Sequence, residues 1–210
     1  MNHDVRPQPP EKPLPSDCCG GGCIPCILDV HEDELEAYWH SLEQWLARNP
    51  PESQLDAEAP SAGVERMVLD TNVVLDLLIF RDAGCEILMA QLQQGACRAI
   101  TRSDCRDEFI RVLQYPQLAL AVNRRVQALE AFDALHDVVP PMHDAPGAGP
   151  GLPQCSDPDD QKFLEVASAA GVDTLLSKDK AVLKVARGMR RAVNIEVLSP
   201  QAWKARHANR

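Results

Sequence analysis

From residue 64 onward, two patterns of apolar residues alternate along the chain. Short unbroken runs are followed by stretches in which apolar residues return every three or four positions. The first pattern marks buried strands and the second marks amphipathic helices. It predicts a strand over 66–70, a helix over 73–79 and a second helix over 83–93 that Gly95 ends. A strand over 96–101 leads to a helix over 104–113, capped by Ser103 and stopped before Pro116. A helix over 119–135 turns Val122, Val126, Leu129, Phe132 and Ala134 or Leu135 inward, and Val138-Val139 is a short strand. After a Pro/Gly loop over 143–154 come a helix over 158–170, ended by Gly171, and a strand over 174–177. A helix over 179–187, a strand over 194–198 and a helix over 200–206 complete the series. Strands separated by helices mean α/β architecture: a parallel sheet with helices on both faces.

The first 63 residues read differently. Residues 1–17 are rich in proline and charge, as in an extended, disordered lead-in. A helix follows, with Asp29 as its expected N-cap and Leu35, Tyr38, Trp39, Leu42, Trp45 and Leu46 along one face. Residues 49–63 have the composition of a linker. The expected organisation is a lead-in over 1–17, a Cys-rich helical module over 18–48, a linker over 49–63, an α/β domain over 64–203 and a basic tail over 204–210.

Composition narrows the function classes. Aromatic residues make up 4% of the chain, too few for base-stacking platforms. No run of about 18 apolar residues exists to span a membrane, and the polar start resembles no signal segment, so a cytoplasmic setting is expected. The net charge of −10 opposes general nucleic-acid binding, but the charge is uneven. Residues 1–60 hold 3 Lys/Arg against 12 Asp/Glu, whereas residues 180–210 hold 8 against 1. The basic stretch is either a solvated helix face or a local surface for a polyanion.

Four of the eight cysteines, Cys18, Cys19, Cys23 and Cys26, fall within nine residues around Gly20-Gly21-Gly22. They admit three readings: a tetrahedral Zn²⁺ site, a Cys23-x-x-Cys26 redox pair, or a glycine turn with reduced thiols. The string from Asp17 to Cys26, with Asp29, Glu34, Leu35 and Tyr38 beyond it, resembles the oxidoreductase-like N-terminal domain family over about residues 9–48. The resemblance implies no established chemistry.

Carboxylates carry the remaining chemistry. Asp70 closes the run Met67-Val-Leu, and Asp179 follows the run 174–177, so both sit at carboxyl ends of expected strands, where α/β sheets bind ligands. Glu108 lies near the apolar face of its helix, and Asp157-Pro-Asp159-Asp160 opens another. Each acid also has a structural role open to it. Asp70 and Asp179 suit helix caps, Asp157 suits an N-cap before Pro158, Asp159 suits the helix dipole, and Glu108 has Arg111 three residues on. Converging carboxylates repel one another, and a hard cation such as Mg²⁺ or Mn²⁺ relieves that repulsion.

Leu69-Asp70-Thr71-Asn72-Val73, Glu108-Phe-Ile-Arg-Val-Leu113, Asp157-Pro-Asp-Asp160-Gln-Lys-Phe-Leu-Glu-Val-Ala167 and Leu176-Ser177-Lys178-Asp179-Lys180 together resemble the PIN domain, in the subgroup of toxin components of toxin–antitoxin systems. The resemblance runs over about residues 65–202. It implies a compact three-layer α/β/α fold, a metal-dependent endoribonuclease, an antitoxin protein as partner, and a homodimer. It carries the catalytic acids over to Asp70, Glu108, Asp160 and Asp179, with Asp157 as a secondary candidate for metal ligand, since either end of Asp157-Pro-Asp-Asp160 can face the metal. Asn72 would position the Asp70 loop, and Ser177 stands where a hydroxyl helps hold the site. Lys178 replaces a frequent glycine and brings a cation next to the site, either to assist phosphate binding or to disturb the metal geometry. The Cys-rich extension is absent from the simple toxin pattern. Two other functions compete: a non-catalytic RNA- or protein-binding scaffold, and a cysteine-based redox or metal sensor coupled to the larger domain.

Overall fold

The computed structural model describes residues 6–8, 10, 13, 25–49, 64–139 and 151–207. Most of the expected lead-in, with Cys18, Cys19 and Cys23, lies outside the described residues. So do 50–63 of the linker, 143–150 of the Pro/Gly loop and 208–210 of the basic tail. The chain divides into two compact units. One comprises the described residues of Met1–Pro51 with Leu113–Gln127, and the other those of Glu52–Val112 with Ala128–Arg210.

In the first unit, helix α1 (Ile27–Arg48) buries Tyr38, Trp39 and Leu42. It begins before the expected cap. Cys26 holds the extended N-cap position without a side-chain bond, and Asp29 sits in the first turn. There Asp29 serves the positive end of the helix dipole.

The second unit is built on a five-stranded parallel sheet in the order β3-β2-β1-β4-β5. The strands are β1 (Glu65–Leu69), β2 (Cys97–Arg102), β3 (His136–Val139), β4 (Thr174–Leu176) and β5 (Glu196–Leu198). The register aligns Ile100, Val68, Leu175 and Val197 in one row on one face. This row packs with helices α6 (Gln161–Ala170), α7 (Lys180–Lys184) and α8 (Ala186–Val193) through Phe163, Leu164, Val182 and Met189. On the other face α3 (Glu86–Gln93) packs against β2, and α9 (Pro200–His207) against α3 and β5. Helices α2 (Thr71–Leu75), α4 (Ser103–Leu113) and α5 (Val122–Leu135) complete the connections. The parallel sheet flanked by helices agrees with the expected α/β fold.

Several boundaries differ for physical reasons. Helix α2 starts at Thr71, directly after the Asp70 cap. It then passes into a π-turn over Asp76–Phe80 that Arg81 closes in the left-handed conformation. The helix expected from 119 begins at Val122, because Pro116–Leu118 forms a 3₁₀ turn closed by left-handed Ala119. The helix expected to end at 187 breaks at Val185 and resumes as α8, which left-handed Asn194 terminates. Among the described residues, no helix is long and apolar enough to cross a membrane.

Gly188 shows why α8 sits so close to the segment that enters the site. A Cβ there would stand 2.9 Å from the Cβ of Pro153. Gln161 ties the same segment down, donating to Pro153 O and accepting from the Cys155 N–H at 2.7 Å. Glycine inside a helix ordinarily costs stability relative to alanine, but here alanine overpacks the contact. Gly188→Ala is expected to lower stability by about 1–3 kcal/mol, read from thermal melts, whereas a stabilised variant contradicts the close packing.

Candidate active site

Strand β1 has neighbours on both sides, and the chain order reverses between β1 and β4. The carboxyl ends of these two strands form the topological switch point, where open α/β sheets bind ligands. Asp70 is the first residue past β1. Its N–H donates to Leu176 O at 3.0 Å, so the end of β4 holds its backbone. The side chain is buried. One carboxylate oxygen accepts from the Asn72 N–H at 3.4 Å, capping α2. The other accepts from the Asn72 amide at 2.7 Å and from the Ser177 hydroxyl. Burial pushes the Asp70 carboxyl above its ordinary value. The Ser177 and Asn72 donors pull the other way, and the Glu108 charge adds to the rise.

The β4 side is bolted to the same residues. Ser177, fully buried, donates to Asp70 and accepts from the Asp179 N–H at 2.9 Å. Asn72 Oδ1 accepts from the Lys178 N–H at 3.1 Å. Asp179 caps α7 by accepting from the Ala181 N–H at 2.6 Å. Capping and presentation to the crevice are therefore not exclusive, because a cap of this kind uses one carboxylate oxygen. The Lys178 ammonium turns to Asp76, 2.6 Å away. Asp76 is a buried charge that the sequence reading passed over. Its signal was an acid embedded in the apolar run Val73–Ile79.

The remaining acids arrive from helices. Asp157 caps the 3₁₀ turn Pro158–Asp160, accepting from the Asp159 N–H at 3.0 Å, and is exposed. Asp160 is half-buried at the head of α6. Its pKa is pushed up to about 7, first by burial and then by the charges of Asp70, Asp157, Asp179 and Glu108. The charges of four acids thus bear on Asp160. Glu108 is not held by Arg111; it pairs with Lys162 across from α4 to α6. Burial opposes the Lys162 charge, but Glu108 more than offsets it and the lysine pKa rises. The buried Cys155 borders the crevice. Burial raises its thiol pKa, and Asp160, Asp157 and Asp179 add to the rise.

Among the described residues, no three His, Cys, Asp or Glu side chains already surround one point. The donor set nevertheless suits a hard divalent cation. It consists of carboxylate oxygens from four chain segments, and a cation offsets the charge they bring together. A cavity of about 540 Å³ opens at the opposite edge of the sheet, lined in part by Glu65, Thr174, Arg190, Glu196 and His207. Its acids are already engaged, Glu65 by Thr174, Trp203 and His207, and Glu196 by Arg190 and Arg206. Of the N-terminal cysteines, only Cys26 is described, as a half-buried free thiol.

The Asp160 environment sets a pH dependence. Its folded-state pKa exceeds the ordinary value of 3.8, so the neutral acid favours folding. That contribution is complete below 3.8 and is lost as pH rises through about 7. In metal-free buffer at pH 8, Asp160→Asn is expected to melt above wild type, by on the order of 1 kcal/mol after solvent screening. The gap should close towards pH 4, and thermal melts across this range check it. A gap independent of pH contradicts the crowding.

Comparison with known proteins places this geometry. The PIN domain family matches residues 66–181, more than half of the chain. The family described as oxidoreductase-like protein, N-terminal, matches residues 4–47. A mouse (Mus musculus) protein, NADH-cytochrome b5 reductase-like, is 44% identical over 57 residues, covering 21% of this chain and 16% of the mouse protein. Its human (Homo sapiens) namesake is 48% identical over 48 residues, covering 21% and 15%. The chain thus spans only a small part of the length of the curated relatives it matches. By the match over its larger part, the chain belongs to the PIN domain family, with an oxidoreductase-like N-terminal segment ahead of the PIN domain.

Proposed function

We propose that this protein is a divalent-metal-dependent endoribonuclease. The observation that carries the reading is the placement of Asp70 and Asp179 at the adjoining ends of β1 and β4 of a PIN domain sheet, both tied to Ser177, with the Asp160 carboxyl at the head of α6 pushed up by the charges of Asp70, Asp157, Asp179 and Glu108. Asp70, Asp160 and Asp179 would hold Mg²⁺ or Mn²⁺, and Glu108 would act as a further ligand or orient the attacking water. Asp157 is the weaker ligand, since it is exposed and engaged as a cap. When bound, the metal supplies an activated water and neutralises charge developing on the phosphodiester. Ser177 and Asn72 serve as positioning residues, fixing Asp70 and tying the β1 and β4 loops together.

The RNA backbone would run along the basic surface beyond β4. Lys180, Lys184, Arg187 and Arg191 are exposed there, while Lys178 and Arg190 are paired with Asp76 and Glu196. Exposed cations attract a polyanion by releasing its counterions. An antitoxin partner, a homodimer and a cytoplasmic setting belong to the same proposal and rest on the family resemblance and the sequence. A zinc or redox role for Cys18, Cys19, Cys23 and Cys26 rests on their spacing alone.

Purified protein incubated with total RNA and Mn²⁺ is expected to cleave it, with EDTA abolishing the reaction. Asp70→Asn should lower the rate by roughly 100-fold or more, since even residues supporting a metal ligand are worth 10–100-fold. RNA binding without cleavage across several divalent metals would favour the non-catalytic scaffold instead.

A further inference from the structure

Lys162 stands in an unfavourable place. It is the second residue of α6, at the positive end of the helix dipole, where a cation is disfavoured. Its side chain is only 16% exposed, so its ammonium has lost much of its water. What offsets both costs is the Glu108 carboxylate, itself 21% exposed, reaching over from α4. The Phe163 ring lies 5.5 Å from the ammonium and adds a face for the cation. Glu108 in turn contributes to the repulsion felt by Asp70 and Asp160. One fixed positive charge is thus built into the rim of a crowd of negative ones.

We infer that Lys162 is a positioning residue that acts as the resident counter-cation of the crevice: it reaches across from α6 to one carboxylate oxygen of Glu108, so that a divalent metal recruiting Glu108 shares that carboxylate with Lys162. This inference rests on the metal-site reading above and extends it. Lys162 sets how tightly the crevice binds a metal in two ways. It competes for the Glu108 carboxylate, and its charge repels the incoming cation.

The test is calorimetric titration of Mn²⁺ into the full chain, without RNA. Lys162→Met is expected to bind Mn²⁺ about fivefold or more tightly than wild type, the lower end of ordinary site-to-site coupling. Lys162→Gln should tighten binding likewise and provides a second reading should the methionine variant fold poorly; metal-free thermal melts establish folding for each. Lys162→Arg keeps the charge and should bind as wild type does. In a Glu108→Gln background, Lys162→Met should have a smaller effect than in wild type, because the competition for Glu108 is already gone. Unchanged or weaker binding by folded Lys162→Met and Lys162→Gln overturns the inference alone, provided wild-type binding is lost in Asp70→Asn. A raised KM for RNA at unchanged Mn²⁺ affinity also overturns it and makes Lys162 a substrate contact. If wild type binds no Mn²⁺, or binds it equally well in Asp70→Asn, the metal-site reading fails and this inference with it.

Discussion

A carboxylate buried between two strand ends is the constraint that organises this molecule. Asp70 loses most of its hydration, and an unsatisfied buried charge is among the most costly features a fold can carry. Relief comes from Ser177, 107 residues away in sequence, and from Asn72. Both partners do more than solvate. Ser177 also receives the Asp179 N–H, and Asn72 also receives the Lys178 N–H. The bonds that make Asp70 tolerable are therefore the ones that set the β1 and β4 loops against each other. The arrangement exists only because β4 returns to lie beside β1, and the β1–β4 register places Leu176 opposite Leu69.

Around this fixed centre the fold gathers further charge of the same sign. Asp179 caps α7, Asp160 heads α6, and Glu108 leans in from α4. Each position has a local structural reason, and together with burial their charges push the Asp160 carboxyl up. Sites where local consistency is given up in this way are where function is expected. The compensation visible within the protein is partial: Lys162 takes Glu108, and Lys178 takes Asp76 rather than a site acid. The excess negative charge is what a divalent cation would neutralise.

Much of this was legible in the sequence. An apolar run ending in Asp-Thr-Asn placed Asp70 at a strand end, because both the strand and the turn are local in origin. The same held for Asp179 after 174–177 and for Asp157 before Pro158. What stayed hidden was tertiary. Glu108 has Arg111 as a sequence neighbour yet pairs with Lys162, since α4 and α6 meet only after the sheet forms. Asp76, an acid inside the apolar run 73–79, takes its partner Lys178 from the far end of β4. Helix α8 runs past its expected end through Gly188, whose missing Cβ leaves room for Pro153. The Cys18, Cys19 and Cys23 readings fall on residues outside those described.

The central claim is that the crevice at the end of β1 and β4 is a divalent-metal site. The most direct measurement is an anomalous difference map from crystals of this protein soaked in Mn²⁺. The account predicts a peak among the carboxylates of Asp70, Asp160 and Asp179. Well-ordered carboxylates with no peak between them, or a peak only elsewhere on the chain, would contradict it.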